Sequence, residues 1–324
     1  MPKSAYRDVL KQALTDAMRE APDIFVIGEE VGRYGGAYGV TKGLIEEFGR
    51  DRLIDTPISE PSIVGTAVGA AMAGMRPVAE LMYVDFIGMT MDQLGNQAAK
   101  IRYMFGGQIG VPMVLRTQGG TGRSAGAQHS QSLEAYVMHT PGLRLAMPAT
   151  VYDAYHLLRQ ALTQPDPVVF IEHKSLYALS EDVDLSVLPP NWGKALVRRQ
   201  GKDLVIVSYS RQVHYALKAA EDLAAMGIDA TVIDLRTLNP IDFDTIRAEV
   251  EKTGKAMVVS EGVMTCGVAA ELAARITEEC FDFLEEPVVR VAGEEIPISV
   301  SVELERHSVP TPELVVSTAG KMFA

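Results

Sequence analysis

Short apolar runs alternate with helical patterns along the first half of the chain. Ile24–Gly28, Val78–Val84, Val111–Thr117, Leu143–Met147 and Val168–Glu172 are brief, rich in Val and Ile, and bounded by Gly, Pro or charge. Such runs predict buried strands. Residues 86–104 and 151–162 carry helical spacing between them. Strands that alternate with helices need crossover connections, hence a mostly parallel sheet covered on both faces. From about Ser180 the pattern breaks: a double proline, acidic residues and no sustained period mark a linker. A second alternation predicts strands at Leu204–Tyr209, Ala230–Leu235, Ala256–Ser260 and Val288–Ala292, with a helix running to about Met226. The expected fold is α/β with two domains, 1–185 and 204–324, joined by a linker over 186–203.

The stretch after Glu60 is the most telling helix. Pro61 suits the first helical position, where its missing N–H has no intrahelical partner to lose. A residue before proline is pushed out of the α region, so Glu60 is expected at the helix entrance. Gly65, Gly69, Ala70, Ala73 and Gly74 follow. Each glycine costs about 1 kcal/mol of helix propensity against alanine. A close-packed neighbour is therefore expected, either the helix's own sheet or a helix of another subunit.

Charge narrows the function. The 324 residues carry 30 Lys and Arg against 42 Asp and Glu, a net charge of −12. An acidic chain repels phosphate backbones, so nucleic-acid binding is not expected. Cys266 and Cys280 lack CxxC spacing and predict buried thiols rather than a disulfide or zinc site. Pro61–Met75, the longest uncharged apolar stretch, is shorter than the roughly 20 residues a bilayer span needs. The N-terminal residues are charged at helical spacing with no apolar signal core, which predicts a cytoplasmic location and no membrane partner.

Neither GxGxxG after a strand, nor a P-loop, nor HExxH occurs. Gly119–Gln131 is glycine-rich, yet it leads to His129 without the lysine a phosphate loop needs. His129 follows a strand end, where open α/β sheets bind ligands; a structural histidine suits the loop equally. Glu60 lies in DTPISEP, between a turn-forming proline and a helix start. Burial beside apolar residues raises a carboxyl pKa toward the range of general acid–base work. A helix cap bonded to backbone N–H groups lowers it. Sequence physics alone favours the cap.

Several motifs then occur in a fixed order: GEEVGRYGGAYGVTKGL (Gly28–Leu44), DTPISE (Asp55–Glu60), AVGAAMAGMRPVAELM (Ala67–Met82), DQLGNQAAKIRYMFGGQ (Asp92–Gln108), GAQHSQ (Gly126–Gln131) and HTPGLR (His139–Arg144). DLRTLNPID (Asp234–Asp242) and FDFLEEPVVRVAGEEIP (Phe281–Pro297) continue the series. The pattern resembles the beta subunit of the thiamine-diphosphate-dependent decarboxylating component of 2-oxo acid dehydrogenase complexes, in the pyruvate and acetoin branches. Each motif alone is modest; their order across nearly the whole chain is specific.

The resemblance implies a transketolase-like pyrimidine-binding domain followed by a transketolase C-terminal-like domain. It implies an alpha2-beta2 heterotetramer, with a second beta chain, in which thiamine diphosphate lies between alpha and beta subunits. Magnesium and the diphosphate then belong to the alpha subunit, in keeping with the absence of a GDG-type element here. Glu60 matches the glutamate that shares a proton with the pyrimidine ring nitrogen. Phe86 matches the aromatic packed on that ring, Met82 a further wall residue, and His129 the loop histidine facing substrate and the lipoyl arm. Glu29 and Asp92 match acids lining a tunnel between two active sites, and suit ordinary surface carboxylates equally. Met113, Ala161, Gln164 and Asp166 match a potassium-type cation site built largely from carbonyl oxygens.

The implied reaction is oxidative decarboxylation of a 2-oxo acid, pyruvate in preference to acetoin or branched-chain substrates. Acyl transfer to the lipoyl group of an acyltransferase component follows, so its lipoyl and subunit-binding domains are further implied partners. Three departures stand out: Pro61–Ser62 where the family has a small residue and a glycine, Gln164 where an acid is common, and Arg123 in TQGGTGRSAG. Half of a split transketolase or deoxyxylulose-phosphate synthase is one alternative, but the basic and histidine clusters of phosphate-bearing substrates are scarce here. A non-catalytic docking module is the other, and the joint presence of Glu60, Phe86 and His129 speaks against it.

Overall fold

The computed structural model describes residues 3–324, which divide into two compact units: residues 3–119 with 136–192, and residues 120–135 with 193–324. In the first unit, β1 (Ile24–Gly28), β2 (Leu53–Asp55), β3 (Arg76–Leu81), β4 (Val114–Gly119), β5 (Arg144–Ala146) and β6 (Val168–His173) lie in the order β5-β6-β4-β3-β1-β2. Every one of these pairings is parallel. Strands β1, β4 and β6 are buried along their whole length, as expected where a sheet is covered on both faces. Helix α1 (Tyr6–Glu20) packs on α3 (Val151–Ala161), and Leu10, Leu14, Leu157, Leu158 and Phe170 share one core. Helix α2 (Glu60–Met72) packs against β3.

The single helix expected over 86–104 is three pieces: a 3-10 segment Val84–Thr90, a π segment Asp92–Ala98 and an α turn Ala99–Met104. Gly95 explains part of the break. A Cβ there would lie 3.1 Å from the Met91 methyl and 3.5 Å from Thr140 Cγ2. Close approach to a neighbour, rather than regular helical packing, governs that turn.

In the second unit, β7 (Leu196–Arg199), β8 (Leu204–Ser208), β9 (Ala230–Asp234), β10 (Ala256–Val263) and β11 (Val289–Gly293) lie in the order β11-β10-β8-β9-β7. All pairs are parallel except β7, which runs antiparallel along β9. Helices α4 (Gln212–Ala225), α5 (Phe243–Thr253), α6 (Val268–Cys280) and α8 (Pro312–Lys321) accompany this sheet, with the short α7 (Val302–His307) before the last. Strand β7 lies inside the segment 186–203 read as linker, and residues 120–135 group with the second unit. Both differences arise from long-range pairing, which leaves no local period. Cys280 is buried as expected, but Cys266 is exposed in the turn before α6, with a φ of 55°. Among the described residues no helix is long and apolar enough to cross a membrane.

Near the centre of each sheet the strand order reverses, between β1 and β3 and between β8 and β10. A reversal leaves a crevice beyond the carboxyl ends of the two strands.

Beneath the first crevice lies a buried charge cluster. Arg116 on β4 donates to Glu80 on β3 (Nη1 to Oε2, 2.7 Å) and to Glu172 on β6 (Nε to Oε1, 2.7 Å; Nη2 to Oε2, 2.8 Å). Tyr177 also donates to Glu172. Burial raises the Glu80 carboxyl against the pull of Arg116; burial lowers the guanidinium's proton affinity, but Glu172 and Glu80 more than restore it. Arg116→Met leaves two buried carboxylates without a counter-ion. It is expected to destabilise the first unit by about 3–5 kcal/mol, seen as a large fall in melting temperature. An unchanged melting temperature would show that water reaches the cluster.

Candidate active site

Glu29 follows directly on β1 and Met82 on β3, so both stand at the first sheet's reversal. Between them in sequence, β2 leads to α2, whose first residue is Glu60. Ser59 is the cap residue; its backbone is extended (φ −159°), its side chain bonds no helix N–H, and its hydroxyl donates to Ser62 Oγ at 2.9 Å. Pro61 occupies the first turn as expected. Glu60 is only 8% exposed, and its side chain makes no hydrogen bond among the described residues. The carboxylate is thus not spent on capping.

Helix α2 packs on β3 and on the 3-10 and π segments that follow. The Glu60, Met82 and Phe86 backbones therefore belong to one packed group. Met82 and Phe86 are half-buried. A buried, unbonded carboxyl group with a thioether and an aromatic ring on neighbouring elements suits a flat, polar heteroaromatic ring. It offers one proton-sharing group for a ring nitrogen and apolar surface for the faces.

The loop carrying Glu29 is pinned from below. Gly32 and Arg33 donate their N–H groups to the two Asp55 oxygens at 2.5 and 3.2 Å. Gly35 and Gly36 both donate to the Glu30 carbonyl at 2.9 Å. A Cβ on Gly36 would stand 2.6 Å from Glu80 Oε1, so the loop rests on the buried charge cluster. Burial, then the Glu60 carboxylate, then Glu30 raise the Glu29 carboxyl above the usual glutamate range. Glu29 and Glu60 are thus brought within electrostatic reach. Asp92 is exposed, accepts from Asn96 Nδ2 at 3.0 Å and is not among the charges acting on Glu29.

At the expected cation site the carbonyl of Met113 accepts from Val168 N (3.0 Å) and that of Ala161 from Gln164 N (3.1 Å). The Gln164 side chain donates to the Gln160 carbonyl at 3.2 Å. The Asp166 carboxylate is taken by Arg102 Nε (2.6 Å) and Arg144 Nη2 (2.8 Å). Two guanidinium groups already neutralise that acid, so backbone carbonyl oxygens alone are left for a hard monovalent ion. Among the described residues no group of three or more His, Cys, Asp or Glu could hold a metal.

His129 belongs to the second unit, whereas Glu60, Met82 and Phe86 belong to the first. It is half-buried, its N–H donates to the Gly126 carbonyl at 3.2 Å, and Gly120 N closes the loop onto the Gln131 carbonyl at 2.9 Å. Arg123 is exposed. Sequence reasoning missed three carboxylates that hold this loop: Glu134, Glu261 and Glu305.

Comparison with known proteins identifies both domains. The family model described as the transketolase pyrimidine-binding domain matches residues 2–180, and the one for the transketolase C-terminal domain matches residues 193–315. The pyruvate dehydrogenase E1 component subunit beta of Rhizobium meliloti is 44% identical, covering 98% of this chain and 69% of that relative. The mitochondrial subunit beta-1 of Arabidopsis thaliana is 45% identical over 97% of this chain and 88% of its own length. The beta subunit of an acetoin:2,6-dichlorophenolindophenol oxidoreductase from Cupriavidus necator is 42% identical, with 98% and 97% covered. Among solved structures, a split-gene transketolase described as an inactive beta4 tetramer shares the fold, with a TM-score of 0.81 at 21% identity, covering 98% of this chain and 97% of that one.

The Glu29–Glu60 coupling is directly testable. Glu60→Gln removes a like charge, so ionising Glu29 becomes easier and its pKa is expected to fall toward the ordinary value. A carboxyl titration followed by carbon-13 resonance measures it; a Glu29 pKa indifferent to the substitution disproves the coupling.

Proposed function

This chain belongs to the beta-subunit family of thiamine-diphosphate-dependent pyruvate and acetoin dehydrogenases, and on that premise we propose that it forms the beta half of an alpha2-beta2 2-oxo acid dehydrogenase. Pyruvate is the proposed substrate, and the acetyl group passes to a lipoyl domain of an acyltransferase component. The observation that carries this reading is Glu60: a buried carboxyl group in a first helical turn, free of capping, with the raised Glu29 beside it. Thiamine diphosphate, when bound, would supply an electron sink for decarboxylation. Glu60 holds the pyrimidine ring nitrogen and shares a proton with it, an interaction that a dry site strengthens. Met82 and Phe86 cover the ring and keep water out. His129 serves the substrate and lipoyl side, and Glu29 and Asp92 are the proposed acids of the path between active sites.

Magnesium and the diphosphate fall to the alpha subunit in this scheme. Any potassium-type ion is held by the carbonyls of Met113, Ala161, Gln164 and Asp166; a higher melting temperature in potassium than in choline chloride supports it, and equal values count against it. Thr66, Gly69, Met72 and Ala73 of the α2 region are exposed, and a Cβ on Gly69 would meet nothing within 4 Å. That small-residue face suits a helix of a neighbouring subunit. Relatives named for acetoin at similar identity keep acetoin as the second substrate reading.

In the assembled heterotetramer, Glu60→Gln should retain thiamine diphosphate while kcat for decarboxylation falls about 10²–10⁴-fold, the usual scale of a positioned proton-transfer group. Near-normal turnover refutes the proton-sharing role. Decarboxylation by this chain without an alpha subunit refutes the two-subunit scheme.

A further inference from the structure

The second sheet's crevice is filled by the chain's own loop. Tyr209, just after β8, donates to Glu134 Oε1 at 2.6 Å. Glu261 on β10 accepts from Thr121 N (2.7 Å) and Thr121 Oγ1 (2.9 Å), and its other oxygen pairs with Arg211 Nη2 at 2.7 Å. Burial raises the Glu134 carboxyl although the Tyr209 hydroxyl pulls the other way. Residues 120–135 therefore occupy the place where an open α/β sheet ordinarily takes a ligand.

A further tether comes from Glu305 on α7. Gly122 N donates to Oε1 (2.9 Å), Ser124 N to Oε1 and Oε2 (3.1 and 3.0 Å), and Ser124 Oγ to Oε2 (3.2 Å). Gly122 (φ 93°) and Ser124 (φ 51°) are both left-handed, which turns nearby N–H groups toward one point. That is the geometry of a backbone anion nest. Glu305 is 4% exposed although Val302, Glu303, Leu304, Arg306 and His307 around it are exposed. The glycine-rich stretch that lacks a phosphate-loop lysine does bind an anion, and the anion is a side chain of the same polypeptide.

We propose that Glu305 is a positioning residue for acyl transfer: its carboxylate fills the Gly122–Ser124 nest and so fixes the shape of the loop that carries His129. The proposal rests on the role given to His129 above. A cleft of about 460 Å³ lined by Thr121, Gly122, Ser124, Arg211, Tyr215 and Glu305, among others, opens beside the nest. It gives a small carboxylate a way in.

The test uses Glu305→Ala and the milder Glu305→Gln in the assembled heterotetramer. Three readouts are needed: amide hydrogen exchange of residues 120–131, decarboxylation with an artificial electron acceptor, and acyl transfer to a lipoyl domain. In Glu305→Ala, exchange should quicken and transfer should fall about tenfold or more, the scale of lost charge-assisted hydrogen bonds. Decarboxylation should change far less, and Glu305→Gln should lie between. Sodium formate should restore slow exchange and transfer to Glu305→Ala, where the same concentration of chloride does not. Unchanged exchange overturns the tether, and quickened exchange with normal transfer overturns its role in catalysis. Failure of the unsubstituted heterotetramer to decarboxylate any 2-oxo acid instead sinks the functional reading, which the exchange measurement does not depend on.

Discussion

A parallel sheet whose strand order reverses cannot close over its own carboxyl ends, because the loops leaving the two central strands turn in opposite directions. This protein meets that constraint twice. Beyond β1 and β3 the opening is bordered by Glu29 and Met82, with Glu60 and Phe86 on the elements packed beside them. Beyond β8 and β10 the opening is plugged by residues 120–135, held by Glu261 and by the Tyr209–Glu134 bond. The same architectural rule thus yields a candidate cofactor site in one unit and an anchored loop in the other.

What distinguishes the buried acids is how each negative charge is balanced. Glu80 and Glu172 share the guanidinium of Arg116, a strong support for three adjacent strands and for the loop resting on Glu80. Glu305 is balanced by backbone N–H groups, and Glu261 by both N–H and guanidinium. Glu60, by contrast, has neither hydrogen bond nor counter-ion among the described residues, and Glu29 feels it as a like charge. A largely buried carboxylate with no protein partner is free to bond a ligand. That contrast separates the acid assigned to chemistry from those assigned to support.

The alternation of apolar runs predicted most strands of both sheets to within a few residues, because a strand covered on both faces is written as a continuous local run; the three-residue β2 (Leu53–Asp55) was too short to leave one. It failed where the conformation answers to neighbours far along the chain. Strand β7 was hidden inside an apparent linker because its pairing with β9 sets it. The segment 86–104 divides into 3-10, π and α turns partly because Gly95 sits against Thr140. Glu60 was placed at the helix entrance by Pro61, yet spacing alone preferred a capping role that Ser59's geometry and the unbonded carboxyl do not support.

By itself, then, the order of residues determined the α/β class, the presence of two sheets, the acidic character, and, through its motifs, the family with Glu60, Met82, Phe86 and His129 as the residues to examine. Periodicity and motif order are local properties, legible without folding. Only the tertiary structure decided which acids meet: that Glu29 presses on Glu60, that Asp166 is neutralised by Arg102 and Arg144, and that Glu305 reaches back across the chain to Ser124. Such pairings depend on burial and on contacts between distant segments, and neither quantity exists until the chain has folded.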